Sequence, residues 1–208
     1  MKLFLIGASG MIGSRILAEA VSRGHEVIAG GRSPEKIATG AGITPVAIDA
    51  TDAASLAPYA AQADVILSAT SPRFSGDGVA DATALGKALI AAATEAGKRV
   101  VVVGGAGTLN LPDGTPVMNV LPPEIVPEAT GMKAVRDMLA ESGLDWVFFA
   151  PAAMIQPGAR TGSFRLGGAV LVSDAEGNSA ISAEDYAVAF MDEVETPKHT
   201  GQVFTIGY

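Results

Sequence analysis

Gly7-Ala-Ser-Gly10-Met-Ile-Gly13 sets three glycines at equal spacing between a short apolar run and a segment of helical period. In that setting the first-turn amides of the helix, with the positive end of its dipole, face whatever occupies the turn, and they suit a diphosphate. Gly7 permits the tight turn, Gly10 lets the main chain approach the diphosphate, and Gly13 lets the helix pack close on the strand. Ser9, Met11 and Ile12 supply the remaining contacts from this segment. A glycine turn of purely structural purpose is the plain alternative, and the agreement of strand, spacing and helix weighs against it. The segment lacks the Gly-Lys-Ser/Thr of a P-loop, so nucleoside triphosphate hydrolysis is not indicated. A dinucleotide is.

The next apolar run ends Ala29-Gly30-Gly31-Arg32-Ser33, roughly 20 residues past the glycines, where a site selective for NAD presents an acid to the ribose 2′-hydroxyl. No acid stands there. Arg32 offers a guanidinium that can pair with a 2′-phosphate, stack on adenine, or both, so NADP(H) is expected in preference to NAD(H). The alternative is a solvated arginine, with Ser33 capping a short helix from Pro34. Asp49, with Ala50 beside it, either receives the adenine amino group or caps the turn into a helix starting near Asp52. Ser68, Ala69 and Thr70 are small enough to let a nicotinamide ribose lie close, and Gly104 again presents backbone without bulk. Pro151 and Ala152, after the sixth strand-like run, complete the candidate cofactor contacts at the same edge.

These residues need a scaffold. Short apolar runs at 3–6, 27–29, 45–48, 65–67, 100–103 and 146–149 are continuous rather than alternating, as in strands covered on both faces. Between them Ile12, Ile16 and Ala20, then Ala84, Leu85, Ala88, Leu89 and Ala92, then Val135, Met138 and Leu139 keep helical period. Alternating β and α over 208 residues predicts a single-domain α/β fold of Rossmann type, a parallel sheet doubly wound by helices, spanning 1–208. The rhythm breaks after Pro151, so 151–178 is expected to be a small C-terminal insertion on the substrate side, with strand-like pieces at 163–166 and 169–172. Ser182 and the acids after it read as a helix start, and 203–206 as the closing strand.

Composition limits the chemistry. Fourteen basic residues against 22 acidic give a net charge of -8, which disfavours a nucleic-acid partner, and no run is long enough to span a membrane. With no cysteine and two isolated histidines, no metal cluster is expected, and a reducing, cytoplasmic compartment fits. His25 and His199 each precede a strand, at the edge opposite the cofactor, so Ser9 and Ser68 lack an activating base and a hydrolase triad is unsupported. Tyr186 is expected in the core. The partner left is a small molecule; the oligomeric state is not legible.

The glycine loop, Arg32, Asp49 and Val101-Val-Val-Gly104-Gly-Ala-Gly107 resemble the atypical short-chain dehydrogenase/reductase superfamily. Pro157-Gly-Ala-Arg-Thr-Gly162, Phe164-Arg-Leu-Gly167, Ile181-Ser-Ala-Glu-Asp-Tyr-Ala187 and Phe204-Thr-Ile-Gly-Tyr208 narrow the resemblance to its small NADH-flavin reductase group, near the NmrA-like and biliverdin reductase B-like proteins. Carbonyl reductases of the superfamily pair a Tyr proton donor with a Lys four residues on. Here Lys133 has its place but position 129 is Ala. The resemblance implies for Lys133 a catalytic or cofactor role at the nicotinamide ribose; a solvated i,i+4 pair with Asp137 is the alternative. What it implies overall is an NADPH-dependent reductase passing hydride to a flavin, quinone or similar conjugated acceptor that takes its proton from water. Arg160 and Arg165 could meet an anionic acceptor such as a flavin phosphate, or be ordinary surface arginines. A non-catalytic NADP(H)-sensing protein of NmrA-like type is the alternative function.

Overall fold

The computed structural model describes residues 1–72 and 76–208. Among them β1 (Lys2–Ile6), β2 (Glu26–Gly31), β3 (Ile43–Ala47), β4 (Val65–Ser68), β5 (Arg99–Val103), β6 (Trp146–Ala150) and β10 (Gln202–Gly207) run parallel in the order β3-β2-β1-β4-β5-β6-β10. The short β8 (Arg165–Gly167) adds antiparallel to β10 at the edge. The order steps outward from β1 in both directions, so a crevice opens beyond the carboxyl ends of β1 and β4, where ligands of such sheets sit.

The continuous apolar runs are explained by the two covered faces. Leu3, Leu5, Val27, Ala29, Leu67, Val101 and Phe149 point to the face covered by α1 (Met11–Ser22) and α5 (Ala183–Glu195). Phe4, Ile6, Ile28, Ile66, Val100, Val102 and Phe148 point to the face covered by α2 (Ala53–Ala60), α3 (Gly78–Ala96) and α4 (Val126–Glu141). Alternate residues feed opposite cores, so neither face tolerates a polar register.

The insertion departs from the expected outline. Residues 169–172 form no strand; Val170 makes one isolated bridge to Asn110, and the Leu171 N–H donates to the Asn110 carbonyl at 2.8 Å. The cause is Leu171, which is drawn into a small third core with Leu109, Val117 and Ala150, while Gly167-Gly168 ends β8 before it. A second sheet went unforeseen: β7 (Met154–Gln156) pairs in parallel with β9 (Ala180–Ser182). Three-residue strands carry too little pattern to be recognised from sequence. Ser33 gives no side-chain cap to the short 3₁₀ segment Pro34–Lys36.

Candidate functional site

The glycine turn is held by β2. Gly7 and Ala8 donate to the Gly30 carbonyl at 2.9 and 3.1 Å, and Gly7 turns back with φ +87°, open to glycine at little cost. A Cβ on Gly7 would lie 2.6 Å from the Ala69 carbonyl oxygen, and one on Gly13 would lie 2.1 Å from that of Gly7. Both glycines therefore serve backbone packing. Gly10 differs: its Cβ position lies 3.3 Å from the Gly7 oxygen and 4.0 Å from that of Ala69, so its bareness matters chiefly on the open side.

Helix α1 starts at Gly10 with no side-chain cap and no acid in its first turn. By contrast, α2, α3 and α5 are capped by the side chains of Asp52, Asp77 and Ser182. The first-turn amides of exposed Met11, half-buried Ile12 and buried Gly13 thus carry the dipole's positive end with no acid in the helix's own first turn to neutralise it.

At the adenosine end, Gly30 accommodates Ile48, whose Cδ1 is 2.5 Å from a Cβ at 30, and Gly31 faces the Ser9 hydroxyl, 3.6 Å from a Cβ at 31. Exposed Ser9 and Arg32 therefore share the end of β2. Asp49 Oδ1 accepts from the Thr51 N–H at 2.9 Å and the Thr51 hydroxyl at 2.7 Å, an Asx turn leading to Asp52, which caps α2. These two bonds, and the Arg32 charge nearby, hold its carboxyl below the ordinary aspartate range. Ala50 packs on the second core.

Toward the other end, Ser68 is buried with its hydroxyl 3.1 Å from that of Thr70, and the Ala69 N–H donates to the Ile6 carbonyl at 2.8 Å. Gly7, Ser68, Ala69 and Thr70 are thereby brought together. Gly104 has a different reason for its bareness: a Cβ there would lie 2.3 Å from the Phe148 ring. Pro151 and Ala152 are buried at the end of β6.

Lys133 lies half-exposed on α4, its Nζ 2.6 Å from Asp137 Oδ2. Arg136, one turn on, reaches the Thr108 carbonyl at 3.0 Å. Ala129 is 6% exposed, and a Cβ on Gly107 would stand 2.7 Å from its own Cβ. Gly107 and Ala129 are therefore packed closely together.

Other candidate groups are committed elsewhere. His25 Nε2 is 2.7 Å from Glu195 and its Nδ1 3.2 Å from the N-terminus; His199 Nδ1 is 2.7 Å from Glu193. Both lie at the amino ends of the strands they precede. The Tyr186 hydroxyl donates to the Phe149 carbonyl at 2.6 Å in full burial, which pushes its phenol well up. Arg160 pairs with Glu19 of α1 through Nε at 2.9 Å and Nη2 at 2.8 Å, and Arg165 donates to the carbonyls of Ser173 and Tyr208. Both arginines thus have partners within the protein. Among the described residues no group of three or more His, Cys, Asp or Glu could hold a metal, and no helix is long and apolar enough to cross a membrane.

One cluster went unread in the sequence. Asp185 is fully buried and accepts from Thr161, Gly162 and Tyr208. The helix-start pattern marked it as a first-turn acid, but nothing local points to partners 23 and 24 residues away.

A family model described as NAD(P)H-binding matches residues 7–197. The chain is 38% identical to a Bacteroides thetaiotaomicron protein of known structure, provisionally named an epimerase, with TM-score 0.92 over 100% of this chain and 96% of that one. A Burkholderia pseudomallei structure, provisionally named an exported protein, is 44% identical with TM-score 0.87 over all of both chains. A Streptococcus pneumoniae structure, provisionally named an NADH-flavin reductase, is 29% identical with TM-score 0.82 over 100% of this chain and 99% of that one.

Proposed function

The chain belongs to the NAD(P)H-binding family, and on that footing we propose that it is an NADPH-dependent reductase of flavins, quinones or similar conjugated acceptors. The observation that carries the hydride-only part of this reading is that position 129 holds a buried alanine beside Gly107 and carries no tyrosine acid. The name of the pneumococcal relative supports the acceptor class.

The residues present fit the dinucleotide. The uncapped start of α1 offers the first-turn amides to its diphosphate, and Gly10 leaves space for close approach. Arg32 and the Ser9 hydroxyl, at the end of β2 where no acid stands, favour a 2′-phosphate and hence NADP(H). Asp49 and Ala50 border the adenine; Ser68, Ala69, Thr70, Gly104, Pro151 and Ala152 border the nicotinamide half. Lys133 would serve the ribose by exchanging Asp137 for a ribose hydroxyl. Bound NADPH would supply the hydride. The chain's own contribution is orientation and proximity, and an acceptor whose reduced form takes a proton from water needs no acid from the protein. A cysteine-free chain suits the reducing cytoplasm, the compartment that accompanies this reading.

The test is steady-state NADPH oxidation with riboflavin, FMN and a quinone panel. Turnover with at least one of them, faster with NADPH than NADH, is the expected result. Tight NADPH binding without turnover on any acceptor would refute the reductase and favour a dinucleotide-sensing protein.

A further inference from the structure

Residues 157–163 are all exposed, and the flanking Ile155 and Phe164 are only half-buried, so little apolar burial holds this strap. Hydrogen bonds to the start of α5 do. Asp185 Oδ1 accepts from the N–H groups of Thr161 at 2.7 Å and Gly162 at 2.8 Å; Oδ2 accepts from the hydroxyls of Thr161 at 2.5 Å and Tyr208 at 2.9 Å. Ser182 Oγ donates to the Ala159 carbonyl at 2.7 Å, and Glu184 accepts from the Gly158 N–H at 2.7 Å. Gly162, at φ +70°, turns its amide beside that of Thr161, so two successive N–H groups converge on one carboxylate oxygen.

Both ends of the strap's path lie at the crevice edge. The segment leaves β6 at Pro151. Because β10 runs parallel to β6 and α5 leads back to its start, the first turn of α5 lies at the carboxyl edge of the sheet. Ile155 pairs with Ile181 and Gln156 with Ser182, so the anchor is rigidly joined to the stretch that follows Pro151 and Ala152. The strap's links to α1, Arg160 to Glu19 and Gly158 through Glu184 to Arg15, touch its second and third turns, below the glycine loop. Met154, 60% exposed, is an apolar side chain at the start of β7, two residues past Ala152 at the end of β6.

We infer that Asp185 is a positioning residue for the acceptor: it pins strap 157–163 and, through β9 and β7, fixes the wall around Met154 against which a conjugated ring packs. This rests on the reductase reading for the identity of the ligand. Asparagine at 185 would keep the oxygen that takes the two N–H groups, and its amide would face two hydroxyls able to rotate and accept. Alanine would remove all four bonds that Asp185 accepts and leave those of Ser182, Glu184 and Glu19.

The experiment compares wild type, Asp185→Ala, Asp185→Asn and Thr161→Val, the last deleting a single donor in case the alanine variant fails to fold. Tryptic cleavage after Arg160 reports release of the strap, since cleavage follows the open population. Fluorescence titrations report riboflavin binding to the NADP+-loaded protein and NADPH binding to the free protein. Kinetics report acceptor KM and kcat. In Asp185→Ala, cleavage is expected to accelerate about tenfold or more, riboflavin affinity to fall and acceptor KM to rise about tenfold, with kcat and NADPH affinity within about threefold. Asp185→Asn should restore most of the loss, and Thr161→Val should show the same pattern more weakly. Faster cleavage with unchanged riboflavin affinity would overturn the inference. So would a parallel fall in NADPH affinity, which would make the strap a clasp on the dinucleotide. Riboflavin binding without turnover overturns only the reductase reading, whereas failure of the wild type to bind riboflavin or menadione overturns both.

Discussion

Replacing Gly10 and Gly13 separately should divide cofactor binding from folding. At Gly10 an added Cβ meets the Gly7 oxygen at 3.3 Å and little else, so Gly10→Val asks of the fold only the cost of a poor N-cap residue, about 1 kcal/mol or less. Its methyl groups enter the space above the uncapped first turn, where two or more charge-assisted hydrogen bonds to a diphosphate would be lost. At about 1.5 to 3 kcal/mol each, the loss is at least about 3 kcal/mol, or a hundredfold or more in Kd. At Gly13 the Cβ would lie 2.1 Å from the Gly7 oxygen, a backbone atom that cannot swing aside. Gly13→Ala must push α1 off the turn, with an overpacking cost of about 1 to 3 kcal/mol and a Tm lowered by about 2 to 4 °C for each kcal/mol. NADPH titration by fluorescence together with thermal unfolding reads both quantities. A Gly10→Val protein that binds NADPH as wild type does would refute the placement of the diphosphate at α1. A Gly13→Ala protein of unchanged Tm would refute the packing argument.

Arg32→Ala should weaken NADPH about ten- to a hundredfold and NADH far less, the size of one charged hydrogen bond; equal loss for both would mean that Arg32 does not read the 2′-phosphate. Phe substitutions at Tyr59, Tyr186 and Tyr208 should leave kcat within an order of magnitude, because a true acid contributes about 10² to 10⁴; a thousandfold drop in a folded variant would restore a tyrosine donor. The pH dependence of stability follows from Asp185. Burial pushes its carboxyl up, but the bonds from Thr161, Gly162 and Tyr208 prevail and hold it below the ordinary range. A depressed folded-state pKa lends stability that is complete above the unfolded value and is lost as pH falls through the folded one, so wild-type Tm should drop more steeply than that of Asp185→Asn between about pH 5 and pH 3. Parallel curves would show that the carboxylate stays unpaired in solution.

What could be read in the sequence was what the chain repeats or states locally. The continuous runs at Leu3–Ile6 and beyond had to be strands covered twice, and Phe4 and Leu5 do feed opposite cores. The glycine loop was legible because its three glycines fall within seven residues between strand and helix, although one reason for Gly7, the Ala69 carbonyl, comes from a distant strand end. Gly104 shows what such reading leaves out. Its place after β5 marks it as bare backbone, and only strand pairing adds a second reason, the Phe148 ring of the neighbouring strand that fills the position of its missing Cβ. Ala129 and Gly107 are a second case. The missing tyrosine was visible as a departure from pattern, and the packing adds that Ala129 is buried beside Gly107, whose lack of a Cβ that alanine requires. The strap lies furthest from local inference: Asp185 carries a helix-start signature that explains its residue type completely, while its four partners come from Thr161, Gly162 and the terminal Tyr208. A side chain with a sufficient local explanation gives no reason to seek a second one, and at Asp185 it is the second that ties the C-terminal strand and the exposed strap to the edge where the acceptor would bind.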